Sequence, residues 1–343
     1  MTSRSTEDWN LTRLNRERQR AVEAFGFTER QARFLVEVMV HSGVFVPRQY
    51  CSFASIAHGQ KVHDFLRRLV ERGYARPIQV GAMHRGRMFN VGHKPLYAAI
   101  GEADNRHRKA APLGRMVERL MILDAVLVDR SVTWLGTEKD KVAYFRRECR
   151  GRLEDRELPH LTFGTGASQV VRYFPDKLPI GMRVDGPEHV LVYLMTSAVP
   201  LDFRLFLYRH AELLRALTRW TIRVLVPQPF AKAVKTFQAA MSQEFTPVTP
   251  ADADELLWLF RERQRLRGVA AYRKDERFRS AARQFRQPRF GVLYRLWQRH
   301  GDAAVWAARS PVLRDALARG EGSIEFVHLP HQYLHLSCLV GVA

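Results

Sequence analysis

Apolar residues in the first hundred positions recur at the spacing of helices that bury one face. The pattern predicts helices over residues 11–25, 28–42, 47–56 and 60–71. Thr28, followed three positions later by Gln31, has the capping-box pattern of a helix start. After the fourth helix, apolar and polar residues alternate around Ile78 and again around Phe89, which predicts two strands.

The fourth predicted helix has one apolar and one polar face. Its apolar residues fall on a single helical stripe: Val62, Phe65, Leu66, Leu69 and Val70. A recognition helix needs this division, because one face packs on its domain while the other reaches phosphates and base edges in the major groove. The opposite face here is polar and mostly basic, with Gln60, Lys61, His63, Asp64, Arg67, Arg68 and Arg72.

The turn between the two predicted strands is also basic. It contains glycines that permit a hairpin, together with His84, Arg85 and Arg87. Three helices, a strand, a basic turn and a second strand follow one another in the order of a winged helix-turn-helix. We therefore predict such a domain over residues 1–100, binding double-stranded DNA through the helix and the turn. A winged helix that makes only protein contacts is the alternative.

The middle of the chain predicts a linker and an α/β domain. Residues 101–112 are polar and without periodicity, which is typical of a linker, and a strongly apolar helix follows. A buried strand, an amphipathic helix and a second buried strand are predicted at 189–196, 202–220 and 221–226. Such a unit is typical of parallel sheets. It predicts a small α/β domain with a partly parallel sheet over residues 113–248, and a mixed α/β fold for the chain.

Residues 249–343 predict a basic, mostly helical region with terminal strands near 323–329 and 333–340, and a helix over 302–319. Residues 261–289 hold eleven Lys or Arg and three acidic residues, with aromatic residues between them. Such a surface can follow a phosphate backbone. Equally, it can be a solvated helical face whose aromatic residues belong to the core.

The charge of the chain favours a polyanionic partner. Lys and Arg number 55 against 35 Asp and Glu, which gives a net charge of +20. Nucleic acid and an anionic membrane surface both fit, as does an Arg-rich composition without a charged partner. No apolar run approaches the about 18 residues that a membrane-spanning helix needs, and three distant cysteines suit a reducing compartment. We expect a cytoplasmic protein that does not associate with membranes.

Candidate metal and nucleotide motifs are weak. His328, His331 and His335 lie near Cys338, but Pro330 interrupts the run and alternate strand residues point to opposite faces. The glycines at 164 and 166 are not followed by the Gly-Lys-Ser/Thr of a phosphate-binding loop. The sequence therefore predicts neither a metal nor a cofactor.

A family resemblance appears at Tyr173-Phe174-Pro175-Asp176-Lys177-Leu178, which precedes the strand-helix-strand unit. With the N-terminal helices, this order of elements resembles the replication-relaxation family of plasmid and mobile-element proteins over residues 27–227. The second half of that family is similar to the PD-(D/E)XK nuclease fold. The resemblance implies that Asp176 is the first metal-binding carboxylate; the alternative, which we favour, is a turn residue that follows Pro175. The next strand would then read Tyr193-Leu194-Met195 where an acidic residue and a lysine are needed, which implies a degenerate site.

Three hypotheses follow. The first is a non-enzymatic DNA-binding protein, a regulator or a replication or maintenance factor of a mobile element. Its nuclease-like domain would serve as a scaffold or as the contact surface of a homodimer. The second is a metal-dependent nuclease targeted by the winged helix, and the third is an adaptor in a larger protein complex. Incubation with supercoiled plasmid and Mg²⁺ or Mn²⁺ separates the second from the others.

Overall fold

The structure, a computed structural model, describes residues 10–79, 87–164, 168–266 and 275–333. The chain forms two units. The first consists of Met1–Thr196, Thr221–Ala231 and Ile324–Ala343, and the second consists of Ser197–Trp220 and Lys232–Ser323. Both units are discontinuous in sequence. The predicted boundaries after residues 100 and 112 therefore lie inside the first unit, and the boundary after 248 lies inside the second.

The N-terminal part of the first unit is helical, as predicted. Asn10 caps α1, and the Thr28–Gln31 capping box begins α2 with both of its reciprocal hydrogen bonds. The helix α3 begins at a proline, whose missing N–H has no role in a first helical turn. Every end lies within two residues of the expected one: α1 Leu11–Glu23, α2 Glu29–His41, α3 Pro47–Ala54 and α4 Gln60–Glu71.

Three short strands close this part of the first unit. They are β1 Val44–Phe45, β2 Ala75–Gln79 and β3 Arg87–Val91. Their order is β1-β3-β2, and both pairings are antiparallel. The two predicted hairpin strands are thus confirmed, whereas the two-residue β1 was not expected. Residues 80–86, which include His84 and Arg85, lie outside the described residues.

The segment predicted as a linker packs against the helices. After α5 Lys94–Ala99, a 3₁₀ turn at Arg106–Arg108 buries the side chain of His107. The backbone of His107 comes so close to Gly43 that a Cβ at Gly43 would lie 2.1 Å from the His107 carbonyl oxygen. A polar composition could not reveal this contact, because it depends on one residue and a distant glycine.

A five-stranded sheet forms the rest of the first unit's core. Its order is β10-β9-β8-β7-β4; the β4–β7 and β7–β8 pairs are antiparallel and the sheet is partly parallel. The apolar helix α6 Leu113–Val128 packs its buried residues against strands β8 and β9. The strands of this sheet are β4 Val132–Leu135, β7 Ile180–Arg183, β8 Glu188–Leu194, β9 Arg219–Val226 and β10 Gly322–His328. Between β4 and β7, the chain forms the helix α7 Glu138–Glu148 and a separate antiparallel pair of strands, β5 His160–Phe163 and β6 Val170–Tyr173.

The described part of the second unit is mainly helical. The predicted helix over residues 302–319 is wrong as a single element: it divides into two, because Pro311 cannot donate the backbone hydrogen bond of a helix interior.

In the Arg-rich stretch, Phe285 is buried and Phe278 and Phe290 pack against the same core, which agrees with the solvated-face interpretation. The helices are α8 Leu201–Ala216, α9 Val234–Phe245, α10 Pro250–Arg265, α11 Glu276–Gln284, α12 Pro288–His300, α13 Ala303–Ala307 and α14 Val312–Arg319.

A buried polar network joins α3, α6 and the segment after β10. The Asp124 carboxylate accepts hydrogen bonds from Arg48 at 2.8 Å, from Gln49 at 3.0 Å and from the Tyr333 hydroxyl at 2.5 Å. Arg48 also donates to the Tyr333 oxygen at 2.6 Å. These partners satisfy a carboxylate that is almost completely buried. Chain segments far apart in sequence are thereby held at one point of the first unit.

A buried ion pair joins α1 to α7. The two terminal nitrogens of Arg18 each donate to one oxygen of Asp140 at 2.9 Å, and the side chains are only 7% and 4% exposed. Such a bidentate pair offsets the cost of burying two charges only while both partners are present.

We expect each single substitution, Arg18→Met or Asp140→Leu, to lower the free energy of unfolding by about 3 kcal/mol, because it leaves one buried charge without its partner. The double variant should lose less than the sum of the two single losses. Urea unfolding of the four proteins, followed by circular dichroism, measures this coupling. Additive losses in the double variant would show that the pair is not coupled.

Candidate functional site

The helix α4 is fixed by its apolar stripe. Val62, Phe65 and Leu69 are fully buried, and the ring of Phe65 lies 4.3 Å from that of Tyr50 between centroids. The predicted fifth member of the stripe, Val70, lies at its edge and is 38% exposed. Burial of one face holds the opposite face of α4 towards solvent.

That outer face, which we call the α4 surface, carries most of the residues predicted to bind DNA. Gln60, Lys61, His63 and Arg67 are exposed and Asp64 is half-buried. The Asp64 carboxylate accepts hydrogen bonds from the Gln60 amide at 2.8 Å and from Arg67 at 2.7 Å. This one carboxylate therefore holds a hydrogen-bonding amide and a cation in one row along α4.

Arg68, also predicted to bind DNA, is engaged within the protein. Its guanidinium donates to the carbonyl of Gly26 at 2.9 Å, and Arg72 one turn later donates to the carbonyl of Phe25 at 3.2 Å. Gly26 has a positive φ of 86° that ends the turn after α1. Both arginines thus tie α4 to the turn between α1 and α2.

The structure adds two cations that the sequence reasoning missed. Arg30 and Arg33, in the first turns of α2, line a cavity of about 690 Å³ together with Lys61 and Arg68. The Arg30 guanidinium donates to the carbonyl of Ala54, and that of Arg33 lies 5.8 Å from the ring centroid of Phe53. The sequence shows that these two arginines are three residues apart on the polar face of α2. It does not show that they lie close to α4.

The basic hairpin is only partly described. Arg87 begins β3, is exposed and stands opposite Gln79 of β2. Arg76, on β2, is also exposed and was not among the predicted residues. Because His84 and Arg85 lie outside the described residues, Arg87 is the predicted turn residue whose place is known.

The expected position of the nuclease carboxylates is wrong in one respect. Asp176 follows β6, which pairs with β5 in a separate sheet, and the next strand is β7 rather than β8. The residues of β7 are Ile180-Gly181-Met182-Arg183, without a carboxylate or a lysine. Tyr193 and Met195, at the end of β8, are buried. The sequence reasoning missed β7, because its four residues follow a proline and contain a glycine.

A buried lysine lies close to Asp176. The Lys141 ammonium donates to the carbonyl of Leu178 at 2.6 Å and lies 5.6 Å from the ring centroid of Phe174. Burial lowers the pKa of Lys141 to about 7, although the charges of Asp140 and Asp176 act in the opposite direction. This lysine comes from α7, whereas the nuclease pattern takes its lysine from a sheet strand.

The described ranges show neither a metal cluster nor a membrane-spanning helix. They contain no group of three or more His, Cys, Asp or Glu side chains arranged for a metal ion. His328 and His331 are exposed there, and His335 and Cys338 fall outside. Within the same ranges, every helix is too short or too polar to traverse a lipid bilayer.

Comparison with known proteins gives no relative for this chain. No family model, no curated protein and no solved structure matches it. The resemblance to the replication-relaxation family stays a prediction.

The lowered pKa of Lys141 predicts how the stability of the folded chain changes with pH. The ordinary value of 10.5 is lowered to about 7 in the folded chain, so between these values the unfolded chain holds the extra proton. The contribution of this group to stability therefore increases as the pH rises above about 7, by up to about 1.4 kcal/mol per pH unit. We expect the parent protein to gain stability relative to a Lys141→Met variant between about pH 7 and 9 in urea unfolding. Parallel pH profiles of the two proteins would contradict the lowered pKa.

Proposed function

We propose that the chain is a non-enzymatic protein that binds double-stranded DNA, and that its N-terminal helices and hairpin form a winged helix-turn-helix. One observation carries this proposal. The elements follow one another in the order α2-β1-α3-α4-β2-hairpin-β3, and the three strands lie in the order β1-β3-β2. This arrangement leaves the polar face of α4 towards solvent. In helix-turn-helix domains the second helix of the motif enters the major groove. Here that helix is α4.

The chemistry of the α4 surface supports base contact at its N-terminal end. The first residues of a recognition helix reach base edges. The Gln60 amide can pair with adenine, Lys61 with guanine, and the Asp64 carboxylate can accept from the amino group of cytosine. Gly59 caps α4, and no other heavy atom lies within 4 Å of the position that a Cβ would take there, so the backbone at the start of α4 is open to a ligand.

The surrounding cations fit contacts with the DNA backbone. Arg30 and Arg33 flank the start of α4, and Arg87 is exposed on the hairpin. Contacts with phosphates orient a protein on the duplex without reading its sequence. The net charge of +20 supports the same type of partner.

The non-enzymatic part of the proposal rests on the absence of metal-binding carboxylates from β7 and from the end of β8. A metal-dependent nuclease needs oxygen ligands that converge on one ion. Metal-dependent nicking of a supercoiled plasmid, lost in Asp176→Ala, would contradict this part. A role as a regulator or as a replication or maintenance factor of a mobile element rests only on the resemblance of the segment around Asp176.

The binding of random duplex DNA should fall steeply with salt. Each neutralised phosphate contributes about −0.9 to the slope of log K against log salt concentration. We expect Arg30→Ala/Arg33→Ala to weaken binding and to reduce the slope by about 1.8, because two contacts are lost. Fluorescence anisotropy over a salt series measures both effects.

The matched control is Lys232→Ala/Lys235→Ala, which removes the same charge from exposed positions of the second unit. Its slope should equal that of the parent. A parent protein that does not bind duplex at low salt would refute the proposed function, and equal changes in both double variants would show that net charge alone matters.

We expect α4 to recognise the DNA sequence and the hairpin to contact the DNA backbone. We expect Gln60→Ala/Lys61→Ala to narrow the difference in affinity between a selected site and random duplex, by roughly 1–3 kcal/mol for each lost base contact. Arg85→Ala/Arg87→Ala should weaken both complexes more evenly. Selection from a random duplex library supplies the site, and thermal melting checks that the variants fold. If the α4 variant keeps its full preference, α4 does not read the sequence.

A further inference from the structure

A second cavity lies in the first unit, towards the other end of α2. It has a volume of about 1120 Å³ and is lined by Val40 near the end of α2, the segment around Arg106, the first turns of α7 and the end of β6. We call it the α7 cavity. The first cavity is lined by Glu29, eleven residues before Val40, so about 16 Å of helix separates the two. The α7 cavity is thus a separate site from the α4 surface.

The lining of the α7 cavity is strongly basic. Seven Lys and Arg side chains and three carboxylates contribute to it. Two of the carboxylates already accept hydrogen bonds inside the protein: Glu102 from the Asn105 amide at 2.9 Å, and Glu138 from the backbone N–H of Tyr173 at 2.9 Å. These hydrogen bonds hold the two side chains in place without removing their charge, and positive groups still outnumber negative ones in the lining by seven to three.

Three of these cations stand without a carboxylate partner. Over the described ranges, no acidic side chain lies within 4.0 Å of the charged groups of Arg106, Arg172 and Lys177. Burial and the charges of Arg106 and Arg172 lower the pKa of Lys177 to about 8. Burial and the charge of Arg119 lower the pKa of Arg106 to about 10. Like charges are thus held together in a partly desolvated place, which is unfavourable unless an anion joins them.

Two further features of the α7 cavity are costly to the folded chain. The side chain of His107 is only 6% exposed, and its Nδ1 atom finds no hydrogen-bond partner among the described residues. Lys177 adopts a left-handed backbone conformation with a φ of 58°, which is uncommon for a residue with a side chain. Unsatisfied buried groups and strained backbone are concentrated at functional sites in proteins.

We propose that the α7 cavity binds a phosphorylated small molecule, whose phosphate is held by Arg106, Arg172 and Lys177 beside the first turn of α7. The helix α7 has eleven residues, and the partial positive charge of its N-terminus favours an anion there. The buried Nδ1 of His107 offers an additional hydrogen bond. The volume of about 1120 Å³ lies slightly above the roughly 300–1,000 Å³ of most small-molecule sites, so the cavity has room for a phosphate and the group that carries it. This inference does not depend on the proposed DNA binding.

The test uses the full chain and inorganic pyrophosphate as the probe. We expect pyrophosphate to raise the thermal midpoint and to give a saturable isotherm in calorimetry. Lys177→Gly and Arg106→Gln should each weaken binding at least about tenfold, because each removes a charged hydrogen-bond donor. Glycine adopts the φ of 58° without strain, so Lys177→Gly should fold at least as well as the parent.

Lys232→Gln/Lys235→Gln is the control, with its charges removed from exposed sites in the second unit. Its affinity for pyrophosphate should equal that of the parent. No saturable binding, or an equal loss in the control, overturns the proposal. Displacement of a bound DNA duplex by pyrophosphate that Lys177→Gly abolishes would also overturn it, because the cavity would then hold a phosphate of the DNA backbone.

Discussion

The burial of α2 is the constraint on which the first unit depends. From Phe34 to His41 every side chain except Glu37 is buried, and α1, α6 and the 3₁₀ turn all pack against this helix. Two glycines make this close packing possible. A Cβ at Gly136 would lie 2.0 Å from a methyl carbon of Val40, and one at Gly43 would overlap the backbone of His107. Because α2 cannot shift independently, the α4 surface and the α7 cavity are attached to one rigid element.

The positive charge of the chain is neutralised to different degrees in different places. In the second unit, Arg277 and Arg279 form ion pairs with Glu255 and Glu276 at 2.9 and 2.8 Å. On the α4 surface, Asp64 offsets part of the charge. In the α7 cavity, the cations face one another instead. Net charge alone therefore says little about where an anion binds; the sites of interest are those where cations lack local partners and solvent.

Local patterns predicted the helices well and the strands less completely. The capping box of Thr28 and the apolar stripe of α4 fix the starts of two helices, because these signals lie within a few residues of sequence. The strands β1 and β7 have two and four residues, too few for a period to be recognised. Residues 101–112, predicted as a linker, pack against α2 through the 3₁₀ turn around His107, a tertiary contact that no local pattern shows.

The candidate sites were predictable to a similar extent. The outer face of α4 follows from helical periodicity, so Gln60, Lys61 and Arg67 were found. The tie of Arg68 to Gly26 and the approach of Arg30 depend on how helices pack, which the sequence does not state. The α7 cavity brings together residues from four separate stretches of the chain, between Val40 and Lys177, and no local pattern joins them.

The contact between Arg48 and Tyr333 has a consequence for synthesis on the ribosome. These residues are 285 positions apart, and the Tyr333 hydroxyl supplies one of the partners of the buried Asp124. During translation, the helices of the N-terminus emerge long before this partner exists. Over that interval the Asp124 carboxylate lacks the Tyr333 hydroxyl, and we expect the nascent first unit to be accessible to chaperones until residue 333 has left the exit tunnel. Products of premature termination before that point would lack the same closure and should be preferred substrates of cellular proteases.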